Sequence, residues 1–247
     1  MFFQELGLQA VPGNPDIVET RIQSLIRQVD TRRGGLAFGA LMSIILSSCV
    51  TGGFNYYNFV TSSGADMYFK VPSSWADYGP SQVFGTTHVT LSQSQLTVIE
   101  AGNWANVFAA SSAKSLAGLT GIFSKVPFGI SQATKLTPSE RDSFSNSSLR
   151  SLLLPVDPLL SSSSNSGVQY TSKGYSEFVT PNGMRGSKMV VEIKELGKPA
   201  AVLSQVAEVD SSTNWVYLIA VGCDLSCYNT NSSVINEIIS SWSVRSS

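Results

Sequence analysis

Hydrophobic and polar residues alternate along much of the chain, in the way that half-buried β-strands require. The segments with this pattern, or with runs of β-branched and aromatic residues, are 66–71, 86–91, 96–100, 107–110, 168–173, 175–180, 188–193, 201–209, 214–221 and 241–244. Turn-forming residues such as Pro181-Asn182-Gly183 separate several of them without an intervening helix. Short strands joined in this way predict an α+β fold, built on an antiparallel β-sheet that is flanked by helices.

Thr137-Pro138-Ser139-Glu140 carries the strongest helix signal in the chain. Thr137 is suited to cap the helix, Pro138 to occupy its first position, and Glu140 to bond back to the cap. The helix is expected to end before Pro155, because proline disfavours a helical conformation in the residue before it.

A further helix is predicted near the end of the chain, beginning at Ser232 or Ser233. Its apolar residues form one stripe that is expected to pack on the sheet: Val234, Ile235, Ile238 and Ile239. Residues 111–134 show no pattern that we can assign, and residues 161–167 are interpreted as a polar, low-complexity loop.

An apolar, uncharged run from Leu36 to Leu46 follows the basic pair Arg32-Arg33 and leads into Ser47-Ser48-Cys49. A basic region, an apolar region of roughly 7–15 residues and small residues at a cleavage site are the order of a secretory signal peptide. The run is only about half of the ~20 residues that span a bilayer. Leu46-Ser47-Ser48-Cys49 resembles the lipobox of bacterial lipoproteins, and the alternative is a buried apolar helix that ends in cysteine.

In lipoproteins of this kind, the cysteine is diacylated and becomes the first residue after the signal is removed. The resemblance implies that Cys49 carries fatty acyl groups such as palmitate and holds the protein at the extracytoplasmic face of the cell membrane, because two acyl chains give a stable anchor. The export route stays open: Thr31-Arg32-Arg33 is similar to a twin-arginine signal, but Gly34-Gly35 departs from it.

The chain divides into three parts on this interpretation. Residues 1–48 are an N-terminal extension and signal peptide, although the amphipathic helical pattern within residues 14–29 is unexpected ahead of a signal. Residues 49–64 are a tether, and residues 65–247 are a single globular domain. Tyr56, Tyr57 and Phe59 are interpreted as core residues or as packing the tether onto the domain, with a ligand-binding patch near the anchor as the alternative.

Cys223 and Cys227 form an even pair once Cys49 is assigned to lipid. An exported protein permits disulfides, and cysteines four positions apart can be bridged if the segment between them turns back. Two free thiols remain an alternative. A zinc site is disfavoured and no metal is expected, because structural zinc needs four ligands and the chain has no second pair of cysteines.

Charged residues make up only 13% of the chain, and 16 basic residues against 17 acidic ones give a net charge of −1. This balance argues against a nucleic-acid-binding protein. His88 is the single histidine and lies in an alternating strand, where an ordinary surface position is the simpler interpretation. The sequence has neither a Gly-x-Ser-x-Gly elbow nor a glycine-rich phosphate loop. Asp210, Asp224 and Glu237 are isolated acids, which we interpret as solvated.

Two short patterns near the ends of the domain resemble the PsbP-like α/β sandwich family. The first is Phe69-Lys70-Val71-Pro72-Ser73-Ser74-Trp75, and the second is the strand Trp215 to Val221 with Cys223, Cys227, the Ile-rich helix and Ser241-Trp242-Ser243-Val244. Residues 80–135 lie outside this resemblance. The resemblance implies an antiparallel sheet flanked by helices, used for binding or assembly rather than catalysis, without a cofactor or catalytic residues.

The function expected from the sequence is that of a lipid-anchored, non-catalytic binding or scaffolding domain. Its partner would be an unknown envelope protein or a small ligand, in addition to the membrane that holds the lipid. The alternative is a secreted hydrolase that uses a serine outside any known motif together with His88.

Overall fold

The computed structural model of the chain describes residues 53–60, 65–85, 102–111, 121–154, 162–165 and 167–245. Within these residues, the strands are β1 (Phe54–Val60), β2 (Asp66–Pro72), β3 (Ala76–Tyr78), β4 (Asn103–Ala109), β5 (Phe128–Lys135), β6 (Ser162–Asn165), β7 (Val168–Val179), β8 (Arg185–Glu195), β9 (Ala201–Val209), β10 (Trp215–Asp224) and β11 (Ser243–Arg245). The helices are α1 (Pro80–Gly85), α2 (Pro138–Ser143), α3 (Asn146–Arg150) and α4 (Leu225–Ser241), and Gly121–Phe123 form a 3-10 helix.

The strands form a larger and a smaller sheet. The larger sheet has the order β3-β4-β5-β10-β9-β8-β7-β6, and the smaller sheet has the order β1-β2-β11. All neighbouring strands in both sheets are antiparallel. The predicted fold class, an antiparallel sheet flanked by helices, is confirmed.

Strand β10 runs through the middle of the larger sheet and is buried along its whole length. Its successive side chains enter two separate cores, because successive residues of a strand point to opposite faces. Leu218 belongs to a first core, which Phe84 of α1 and Leu149 of α3 also enter. Ile219 belongs to a second core, which Ile235 of α4 also enters. The larger sheet is therefore the middle layer of a sandwich.

The smaller sheet covers the second core beside α4. In β2, Met67, Phe69 and Val71 are buried in that core, while the residues between them are half-buried. Strand β11 pairs with β2 so that Val244 lies opposite Met67. The smaller sheet thus has an inner face that packs on the larger sheet and an outer face that points away from it.

Most of the predicted strands in the described part of the chain are confirmed. Residues 201–209 match β9, and residues 175–180 and 168–173 together form β7, which is one strand with a bulge between Ser172 and Gly174 rather than two strands. Two predictions for loop and tether segments are wrong. Residues 162–165 form β6 instead of a loop, because they pair with the start of β7, and residues 54–60 of the expected tether form β1, because they pair with β2.

The helix at Thr137 has the predicted capping box but ends at Ser143. Ser145 caps a separate helix, α3, by accepting a hydrogen bond from the Ser148 amide, so the single long helix expected here is divided in two. The helix predicted from Ser232 or Ser233 begins earlier, at Leu225, because Asp224 caps it there. In the unassigned segment 111–134, the structure places the 3-10 helix and most of β5.

Several predictions lie outside the described residues. These are the signal peptide within residues 1–48, the lipidation site Cys49, and the strands expected at 86–91 and 96–100 with His88. The part of the chain that the structure describes holds no helix that is both long and apolar enough to cross a bilayer.

Candidate functional site

Cys223 and Cys227 meet at the junction between β10 and α4. The structure joins them in a disulfide, with an Sγ–Sγ distance of 2.11 Å and a Cα–Cα distance of 5.9 Å. Asp224 lies between them, and its carboxylate accepts a hydrogen bond from the Cys227 amide at 2.7 Å. The segment turns back because the strand ends at the residue that caps the helix, which is the geometry a bridge over four positions needs.

One side chain in the first turns of α4 fixes this corner to the sheet, and a second forms a hydrogen bond within the helix itself. The Tyr228 hydroxyl lies 2.6 Å from the Ser204 hydroxyl on β9, and the Asn231 amide donates to the Cys227 carbonyl at 2.8 Å. Both cysteines are buried. The corner is therefore a structural clamp between the central strands and α4. No three His, Cys, Asp or Glu side chains among the described residues are placed to share a metal ion.

The acidic residues that the sequence singled out have local structural partners. Asp224 caps α4 and is buried, so its interpretation as a solvated acid is wrong. The Asp210 carboxylate accepts a hydrogen bond from the Asn214 amide at 2.6 Å in the β9–β10 turn. Glu237 of α4 forms an ion pair with Lys70 of β2 at 2.7 Å. The structure does not bring these three acids together.

Glu208 is a buried acid that the sequence analysis missed. It lies on β9, opposite Tyr217 of β10 and Gly186 of β8, and only 6% of its surface is exposed. Its Oε2 atom has no hydrogen-bond partner among the described residues. Burial raises the pKa of this carboxyl to about 7, because the ionised form loses its hydration.

The position of Glu208 explains why it was missed. In an alternating strand with one solvated face, a glutamate between Ala207 and Val209 would point to water. Strand β9 is buried on both faces, so the same alternation places this carboxyl inside the protein. A pKa near neutrality suits proton transfer, but a group this enclosed is not presented to a substrate. We therefore treat Glu208 as a determinant of stability.

The aromatic residues of β1 divide between the two faces of the smaller sheet. Tyr57 stacks on Phe69 with ring centroids 4.8 Å apart, and Phe59 stacks on Trp104 at 5.0 Å. These two rings pack β1 onto the rest of the protein, as the sequence analysis expected for them. Tyr56 lies on the opposite face and is 81% exposed.

The outer face of the smaller sheet combines aromatic rings with cations. We call it the aromatic face and define it by Phe54, Tyr56 and Val60 of β1 with Tyr68 and Lys70 of β2, to which Arg245 of β11 adds a second cation. Lys70 Nζ lies 4.4 Å from the centre of the Phe54 ring. The Arg245 guanidinium lies 5.2 Å from the centre of the Tyr68 ring. Val60 is 55% exposed. Of this face, only Tyr56 is named in the sequence analysis as part of an alternative ligand-binding patch near the anchor.

Comparison with known proteins gives similarity at the level of structure. No family model matches the sequence, and no curated protein matches it. LpqN, a protein involved in cell envelope biogenesis of Mycobacterium tuberculosis, is 10% identical over 77% of this chain and 91% of its own, with a TM-score of 0.38. Cyanobacterial PsbP from Synechocystis is 13% identical over 81% of this chain and 99% of its own, with a TM-score of 0.33.

A third similar structure is the Ran-binding protein Mog1p of Saccharomyces cerevisiae. It is 10% identical over 77% of this chain and 96% of its own, with a TM-score of 0.39. The structures similar to this chain therefore include a cyanobacterial PsbP, a Ran-binding protein and a mycobacterial protein involved in cell envelope biogenesis. At TM-scores this low, the similarities support no statement about a binding site or a partner.

Proposed function

We propose that this chain is a bacterial lipoprotein, held at the extracytoplasmic face of the cell membrane by acyl groups on Cys49, and that its folded domain is a non-catalytic binding or assembly module. The observation that carries the proposal is Leu46-Ser47-Ser48-Cys49 after a basic pair and an apolar run.

The disulfide supports the proposed location. Disulfides persist in oxidising compartments outside the cytoplasm and are rare inside it. Cys223 and Cys227 are bridged and buried, which leaves Cys49 as the odd cysteine of three. A cysteine without a partner in an exported protein needs a separate explanation, and acylation supplies one.

The non-catalytic role is supported by how the described polar groups are used. Asp224 caps a helix, Asp210 closes a turn, and Glu237 pairs with a lysine. Each of these acids is thus bound to its own structural partner, and they lie apart from one another. By contrast, the aromatic face offers exposed contact surface without assembling a reactive group.

The direct test is the intact mass of the protein isolated from its native envelope. We expect a species that begins at Cys49 and carries acyl groups, in the membrane fraction. Cys49→Ser should move the chain into the soluble extracytoplasmic fraction or leave it as an uncleaved precursor. The matched control replaces Cys223 and Cys227 by serine, which removes the other cysteines and should leave the acyl adduct, the start at Cys49 and the membrane fraction unchanged.

A wild-type species that begins at Met1 without an acyl adduct would refute the proposal. Pull-down from detergent-solubilised membranes, with wild type and the Cys49→Ser variant side by side, identifies the partner. A partner that requires the anchored form is expected to be lost with the variant.

A further inference from the structure

The chain between the proposed anchor and the fold is very short. Gly53 follows Cys49 by four positions, and its carbonyl accepts a hydrogen bond from the Ser73 amide at 2.8 Å, which ties it to the end of β2. Four residues span at most about 14 Å, since an extended chain covers roughly 3.3–3.6 Å per residue. An acylated Cys49 would therefore hold Gly53, and with it the start of β1 and the end of β2, within about 14 Å of the lipid. This step rests on the proposed acylation.

The aromatic face carries the side chains that favour a membrane interface. Tyr and Trp are enriched at headgroup level, because their rings are apolar while their polar ends stay hydrated. Tyr56 is 81% exposed and Val60 is 55% exposed. Both lie on the outer face of β1, and Tyr56 is paired with Lys70 across the sheet. Basic side chains can extend along apolar surface while their charged ends reach the headgroups.

The charges on this face are balanced within the protein. Lys70 pairs with Glu237 at 2.7 Å. Arg245 lies opposite Asp66 in the sheet register, and the Tyr68 hydroxyl donates to the same Asp66 carboxylate at 3.0 Å. Because two acids match the two cations, we do not expect the aromatic face to bind anionic lipid by charge. Its contribution is aromatic and apolar contact with the headgroup region.

We propose that the aromatic face lies flat against the bilayer that holds Cys49, with Tyr56 and Val60 at the depth of the headgroups. The larger sheet and its first core then point away from the membrane. The lipid fixes the protein to the bilayer, and the face sets its orientation. A bilayer of zwitterionic lipid is sufficient for this contact.

The test uses the mature protein isolated from the envelope and reconstituted into phosphatidylcholine vesicles. A Tyr56→Cys variant is labelled with an environment-sensitive fluorophore; the label enters at one site, because Cys49 is acylated and Cys223 and Cys227 are bridged. Val60→Cys is a second reporter on the same face, in case the first variant does not fold. Leu196→Cys is the matched control, since Leu196 is apolar, 96% exposed and in the turn between β8 and β9 of the larger sheet.

We expect labels at 56 and 60 to be several-fold less accessible to an aqueous quencher than the label at 196. We also expect spin-labelled lipid to quench the labels at 56 and 60 but not the label at 196. Addition of phosphatidylglycerol should leave this difference unchanged. Equal accessibility of all three labels, in acylated protein that floats with the vesicles, would overturn the inference and leave the lipoprotein proposal standing.

Two other outcomes also overturn it. The label at 56 could lose its protection from the aqueous quencher as the protein is diluted into more lipid. This would show that β1 pairs with a second copy of the chain, since an uncharged edge strand is a template for such pairing. A requirement for anionic lipid would show that charge, not aromatic contact, holds the face down. Loss of flotation and of the acyl adduct would instead refute the anchor itself.

Discussion

Glu208→Gln tests whether a buried carboxyl, whose Oε2 atom has no hydrogen-bond partner among the described residues, limits the stability of this fold. Glutamine has nearly the shape of glutamic acid but cannot ionise. The wild-type carboxyl has its pKa raised from 4.5 to about 7 by burial, so the native state binds its proton more tightly than the unfolded state does. At a pH between these two pKa values, unfolding releases a proton. The free energy of unfolding must therefore fall as the pH rises.

The size of the effect follows from the shift in pKa. Each unit corresponds to about 1.4 kcal/mol, so ionising Glu208 in the native state costs about 3 kcal/mol above neutrality. Below about pH 4.5 both states are protonated and the cost vanishes. Relative to wild type, we expect Glu208→Gln to gain about 3 kcal/mol of unfolding free energy between about pH 4 and about pH 8. The absolute difference at low pH is less informative, because the buried amide has its own cost of burial.

Urea unfolding of both proteins across this pH range measures the difference. Glu192→Gln on the neighbouring strand β8 is the matched control with the opposite sign. Glu192 is also buried, but its carboxylate contacts Lys173 at 2.7 Å and Lys194 at 2.9 Å, and hydrogen bonds from these lysines lower its pKa. The ionised Glu192 carboxylate stabilises the native state at pH values above the ordinary pKa of glutamate. This stabilisation is lost as the pH falls through the lowered pKa of Glu192. Glu192→Gln should therefore lose stability at neutral pH.

A stability difference between Glu208→Gln and wild type that stays constant with pH would refute this reasoning. It would mean that the carboxyl is hydrated or paired in the native state. A difference that grows in favour of wild type as the pH rises would mean that the ionised form has a favourable partner.

Two further changes test the packing of the central strands and the clamp. Gly222→Ala in β10 should destabilise the protein by about 1–3 kcal/mol in urea unfolding, because the new Cβ would lie 2.4 Å from the Val202 carbonyl oxygen on β9. Gly174→Ala at the β7 bulge, where no atom lies within 4 Å, is the control, and equal effects of the two would contradict the steric argument. Reduction of the Cys223–Cys227 bond should speed amide exchange in the first turn of α4. It should lower the melting temperature only modestly, because closing a loop this small adds less to the free energy of unfolding than the ~3 kcal/mol that a 15-residue loop adds. Unchanged exchange in that turn, or loss of the whole fold, would contradict the local role of the clamp.

The parts of the fold that could be predicted are those where one residue pattern has one physical meaning. Strand β9 is predicted at its observed bounds, because a short and mostly apolar run lies there between turn-forming residues. The capping box at Thr137 was predicted because its three residue types satisfy one another locally. The antiparallel class followed from turns that join strands without helices.

The missed features have both local and long-range causes. The first turns of α4, from Leu225 to Asn231, carry no apolar stripe; their helix is set by the Asp224 cap and by the bond from Cys223 to Cys227. An aspartate just before this segment is a cap signal that could have been used. Proximity to Cys49 favours a tether for residues 54–60, whereas the spacing of Tyr57 and Phe59 is that of residues on one strand face. The burial of Glu208 needed knowledge that β9 is covered on both sides.

The order of the smaller sheet has a consequence for how the protein folds as it emerges. Strand β2 has one neighbour, β1, from just before it in the chain and the other, β11, from beyond α4. A polypeptide that emerges N-terminus first can form the β1–β2 hairpin early. Met67 can pair with Val244 only after the residues of the larger sheet and α4 have emerged. Such non-local pairing forms late and leaves a strand edge open meanwhile. Until the last strand emerges, Met67, Phe69 and Val71 of the hairpin therefore stay uncovered, and this interval is when we expect the nascent chain to need a chaperone most.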